Sequence, residues 1–216
     1  MREDVRLSAS RWQAAIAGAW LLGGVVLGFF DRALWDRLWM AALSVWVLYA
    51  VVGASLWLFI LWHIRKTPRS SSAVGLALAL PLGAIVLWLA LPRLARAGDE
   101  FLFTRRFESL RAQYATLVAE AQQGAPSSGT WAEQEGIRFQ VDPGPPVRVA
   151  FLQPGGILDN WEGVIYDPTG RVRRATGWRN GIPGNYTASP DLVNLFGGAL
   201  LACVPIEDAY FRCWFT

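Results

Sequence analysis

One histidine, one lysine and two cysteines among 216 residues make this chain poor in the side chains that most chemistry needs. A tetrahedral zinc site takes about four Cys or His ligands at short spacings. His63, Cys203 and Cys213 cannot supply them, so no metal is expected. Beyond residue 97 there is neither His nor Lys, which excludes a Ser-His-Asp triad or a Ser-Lys dyad within that part and leaves a thiol no neighbouring base. No glycine-rich phosphate loop is present either. The expectation is a protein without catalytic residues or cofactors.

Charge is also missing, but only from particular stretches. Residues 1–97 hold ten Arg or Lys and four acids between long apolar runs, while residues 98–216 hold ten Arg and thirteen acids in mixed sequence. The net charge of +3 is therefore a basic membrane part added to an acidic soluble part, and is not the footprint of a nucleic-acid binder. Three runs, about 12–30, 38–64 and 73–91, have the length and lack of charge of bilayer-crossing helices. Pro81 in the third is tolerated within a membrane helix. The first is too long for a signal-peptide core and has no small-residue cleavage site after it, so it reads as a retained span. Trp12, Trp35, Trp39, Trp62 and Trp88 fall near the predicted interfaces, where amphipathic rings are stable; Trp20, Trp46 and Trp57 fall deeper and read as packing residues. Gly24 and Gly28 form a G-x-x-x-G that permits close helix approach, within the chain's own bundle or in a homo-oligomer. His63 has no acid within a span to pair with, and spans without acids or bases argue against an ion-coupled transporter.

Lys and Arg in short loops set orientation. The loop between spans two and three carries Arg65, Lys66 and Arg69, and shares its side with Arg2, Arg6 and Arg11; the first loop carries only Arg32 and Arg37. An amino terminus in the cytoplasm follows, opposed by Arg93, Arg96, Arg105 and Arg106 beyond span three. The cysteines give a second indication. Cys203 and Cys213 flank "VPIEDAY", and the stretches "LLACV" and "YFRCWF" can return on each other as a hairpin. A disulfide needs only Cα atoms about 5.5 Å apart and an oxidising compartment. Two buried free thiols are the alternative.

Residues 98–216 read as a small α+β domain. After a hinge at "RAGDE", an amphipathic helix over about 101–123 carries Phe103, Phe107, Leu110, Tyr114, Leu117 and Ala121 on one stripe, facing its own sheet in preference to a second protomer. From about 136 to 216 the period changes to two, giving an antiparallel sheet that includes "IRFQV", "VRVAFLQ", "WEGVIYD", "RVRRATG" and "YFRCWF". The stretches "ILDNWEGVIYDPTGRV" and "CVPIEDAYFRCWF" resemble the extracytoplasmic segment of bacterial inner-membrane proteins of no known activity, which implies a bacterial origin.

Two candidate surfaces remain. Asp159, Trp161 and Glu162, with Asp167, have the composition of a glycan cleft, though turn and strand positions account for them more simply. Arg171, Arg173, Arg174 and Arg179 suit an anionic ligand or a partner's acidic face, or else a charged strand edge. The expected function is a non-enzymatic, membrane-anchored envelope protein in the bacterial inner membrane, presenting a periplasmic domain to another envelope protein. A lipid or anionic-ligand sensor or carrier subunit is the second reading, and a carboxylate-dependent glycan enzyme the third.

Overall fold

The structure is a computed structural model and describes residues 2–66, 71–124, 130–154, 161–174, 178–179, 182–183, 195–198 and 200–215. The chain divides into two compact units, Met1–Arg106 and Phe107–Thr216. The first contains helices α1 (Arg2–Phe29), α2 (Asp31–Leu38) and α3 (Met40–Lys66), and most of α4 (Ser71–Gln122), whose last turns belong to the second unit. Three of these helices, α1, α3 and α4, are long and apolar enough to cross a bilayer.

Polar groups in such a setting must find partners within the protein, and the tryptophans supply them. Pro81 has no N–H to donate to the carbonyl of Ala77 four residues earlier; the indole N–H of Trp57 on α3 donates to that carbonyl instead, at 3.1 Å. The Trp20 indole donates to the Tyr49 carbonyl at 3.1 Å while the Tyr49 hydroxyl donates to the Trp20 carbonyl at 2.9 Å, with the two rings stacked 4.6 Å apart. Trp46 donates to Asp31 Oδ1 at 2.9 Å. All three deep tryptophans thus bond one element of the bundle to another. Glycines make room for them. A Cβ on Gly24 would collide with the Tyr49 ring and Leu87, one on Gly28 with Leu91, and one on Gly53 with the Trp20 indole. The G-x-x-x-G pair is therefore occupied inside the bundle.

The expected hinge at "RAGDE" is not one: residues 92–101 are helical and α4 runs through them without interruption. Gly98 favours a break, since glycine weakens a helix interior by about 1 kcal/mol. Its purpose is contact. A Cβ there would overlap the Phe29 carbonyl at the end of α1, so only glycine lets the two helices approach.

In the second unit, strands β1 (Ala132–Gln134), β2 (Ile137–Asp142), β3 (Arg148–Leu152), β4 (Trp161–Tyr166), β7 (Leu200–Glu207) and β8 (Tyr210–Phe215) form one antiparallel sheet, ordered β1-β2-β3-β4-β8-β7. A separate ribbon pairs β5 (Trp178–Arg179) with β6 (Ile182–Pro183). The registers set Phe139, Phe151, Val164 and Arg212 in one row on one face. That face takes the helix: Phe107, Tyr114, Leu117, Val118 and Ala121 of α4 are buried, Tyr114 stacks on Phe151 at 4.2 Å, and Phe107 meets Tyr210 edge-on at 5.6 Å. The Gln153 amide donates to the buried Tyr114 hydroxyl at 3.0 Å. The opposite face holds Ala150, Ile165, Phe211, Cys213 and Phe215, and is packed against Val172, Leu195 and Phe196 from the excursion between β4 and β7.

The alternation of "RVRRATG" predicts a strand, but its first four residues form a 3₁₀ turn, Arg171–Arg174. Asp167 is the cause, because its carboxylate captures the backbone N–H of Val172 at 3.0 Å and coils the chain away from β4. The strand that pairs with β4 on the side away from β3 is β8, which comes more than forty residues later in the chain. Strand β1 lies outside the stretch expected to form the sheet. Its hairpin with β2 turns at Glu135 and Gly136, both at positive φ (52° and 78°), as a two-residue hairpin of matching twist requires.

Candidate interaction surface

Cys203 on β7 and Cys213 on β8 sit directly opposite each other, with Cα atoms 4.2 Å apart, and are joined as a disulfide. That separation is typical of a non-hydrogen-bonded antiparallel pair, where side chains lie closest. Both are buried in the core, and the bond ties β7, at the edge of the sheet among the described strands, to its neighbour β8.

Of the residues singled out as a glycan cleft, the described ones, Trp161, Glu162 and Asp167, are not brought together. Trp161 and Glu162 are consecutive on β4, so their side chains leave opposite faces of the sheet. Trp161 stacks on Phe215 at 3.8 Å and meets Trp131 edge-on at 5.1 Å on the excursion side. Glu162 points to the helix side, buried, and pairs with the buried guanidinium of Arg212 on β8. Asp167 lies at the far end of β4, fully buried, and accepts hydrogen bonds from Thr169 Oγ1 (2.6 Å), the Thr169 N–H (3.0 Å) and Arg148 Nε (3.4 Å) as well as from Val172. Burial alone would raise its carboxyl; the bonds from Thr169 and Val172, with the charge of Arg148, outweigh burial and hold it below its ordinary value. Asp159 lies outside the described residues.

Of the four arginines, Arg171 and Arg173 are exposed on the 3₁₀ turn that Asp167 anchors. The backbone of Arg174 continues that turn, and the backbone of Arg179 belongs to β5; their side chains lie outside the described residues. The four therefore occupy two elements and are not one strand edge.

Sequence reasoning does not select the groove between α4 and the β1–β2 hairpin. It has a volume of about 260 Å³ and is lined by Ala112, Gln113, Thr116, Leu117 and Glu120 from the helix and by Gln134, Glu135 and Ile137 from the hairpin. The helix residues run along the edge of the buried stripe, to which Leu117 belongs. The Gln134 amide donates to Glu120 Oε2 at 3.4 Å. The available signal is the Glu-Gly pair between "WAEQ" and "IRFQV", which marks a tight hairpin whose tip carries an acid.

No protein-family model, curated protein or solved structure matches this chain.

Proposed function

We propose that this is a non-enzymatic, membrane-anchored protein of the bacterial envelope: three helices fix it in the inner membrane, and its second unit, in the periplasm, binds another envelope protein. The observation that carries this reading is the commitment of the soluble unit's most suggestive carboxylates to internal pairs. Glu162 is bonded to Arg212, and Asp167 to its own turn and Arg148, so neither faces a cleft. A surface groove between a helix flank and a hairpin tip is in turn the kind of feature that partner side chains fill. The disulfide supports an oxidising compartment, and Arg65, Lys66 and Arg69, which follow the second apolar run in the sequence, support a cytoplasmic amino terminus.

The second reading, a sensor or carrier for lipid or another anion, draws on Arg171 and Arg173, which a buried anchor presents to solvent. Photocrosslinking of the full chain in its native membrane separates the two. A photoreactive residue is placed in turn at the exposed positions Gln113, Arg138, Arg173 and Val204. Protein adducts at one or more positions are expected. Adducts to lipid alone at Arg173 would support the second reading, and no protein adduct at any position would refute the first.

A further inference from the structure

We infer that the groove beside α4 is a receptor for one basic side chain, an exposed Arg or Lys of the partner protein; this rests on the protein-binding reading above. Leu117 and Ile137 are buried at the groove's base and Ala112 lines it, which suits the methylene stem of a long cationic side chain. Glu120 and Glu135 stand on its two walls, one from the helix and one from the hairpin tip. Gln134 bonds Glu120 in place, and the positive φ at Glu135 fixes where the second carboxylate is carried. Gln113 and Thr116 add neutral polar groups, and among the described residues no Lys or Arg lines the groove. The groove, about 260 Å³, has room for one long side chain laid along the helix.

Charge also argues against a second copy of this chain docking by its hairpin edge. Antiparallel self-pairing of β1 about its middle residue would set Glu133 against its own counterpart, and like charges directly opposite are destabilising. A cation entering between Glu120 and Glu135 is attracted by both walls.

The test uses the full chain in its native membrane with p-benzoylphenylalanine at Gln113, and mass spectrometry to locate the attachment point on the partner. The expected adduct lies within a few residues of an Arg or Lys. Its yield should fall roughly tenfold in the Glu120→Lys, Glu135→Lys double variant, and should recover when that partner residue is changed to Glu. Non-reducing electrophoresis, which reports the Cys203–Cys213 bond, and a thermal melt establish that the double variant is folded. Should it prove unfolded, Glu120→Gln with Glu135→Gln replaces it, with a smaller but measurable loss of adduct expected. An adduct insensitive to these charges, an attachment point without a nearby base, or adducts only at Arg138, Arg173 or Val204 would overturn the inference and leave the protein-binding reading standing. Absence of protein adducts at all four positions overturns both.

Discussion

Asp167 shows how a single side chain can decide the route of a chain. Its carboxylate bonds Thr169 and Val172, bends the chain into a 3₁₀ turn and seats the fully buried Val172 against the core. Its folded-state pKa lies below the ordinary value, so its contribution to stability is complete above the unfolded carboxyl's pKa of about 3.9 and is lost as pH falls through the lower, folded value. The full chain in detergent is therefore expected to lose stability in acid below about pH 4. Asp167→Asn should abolish this group's share of the acid dependence and cost about 1–3 kcal/mol at neutral pH, by denaturant unfolding followed through tryptophan fluorescence. An unchanged acid limb in the variant would refute the assignment. Glycine gives a second contrast at this scale. Gly24→Ala forces a Cβ into Tyr49 and Leu87, whereas a Cβ on Gly18 meets nothing within 4 Å. Unfolding in detergent should show the first variant destabilised by about 1–3 kcal/mol and the second within about 0.5 kcal/mol of the parent.

Between elements, the Trp57–Ala77 bond is the clearest case of a substitute for a missing backbone donor. If the indole serves the carbonyl that Pro81 orphans, the two residues must be energetically coupled. Trp57→Phe should cost the bundle about 1 kcal/mol beyond its packing loss in the parent, and less when Pro81→Ala restores the N–H. A double-mutant cycle on unfolding in bicelles measures this, and additive effects would contradict it. Elements are legible in the sequence to different degrees. Spans one to three stand out because a charge-free apolar run of about 20 residues is rare in a helix that water surrounds. The helix stripe Phe107, Tyr114, Leu117 and Ala121 and the strands β2, β3, β4 and β8 follow from their periods of 3.6 and 2. The continuity of α4 is not legible, because Gly98 serves a contact with Phe29 that only the tertiary structure reveals. The turn at Arg171–Arg174 escapes a reading by period because "RVRR" alternates like a strand while a side chain four residues earlier overrides that pattern. The groove escapes it because its two walls come from separate elements and neither half carries a motif.

At the scale of the molecule, the organisation is a unit of apolar helices and a second unit in which strands β7 and β8 are cross-linked in the core. Closing a loop of this length contributes on the order of 3 kcal/mol and holds an edge strand that would otherwise fray. The same bond carries the account of location, since it persists only where the compartment oxidises thiols. Thiol labelling of the intact protein in its native membrane tests that most directly: free thiols are blocked on lysis, the protein is denatured, and a maleimide is added with or without prior reduction. Labelling of Cys203 and Cys213 only after reduction is the predicted result, and places the soluble unit in an oxidising compartment. Labelling of both without reduction, when the blocking step is omitted, would contradict the disulfide, remove the best support for a periplasmic domain, and turn the search for a partner to the cytoplasm.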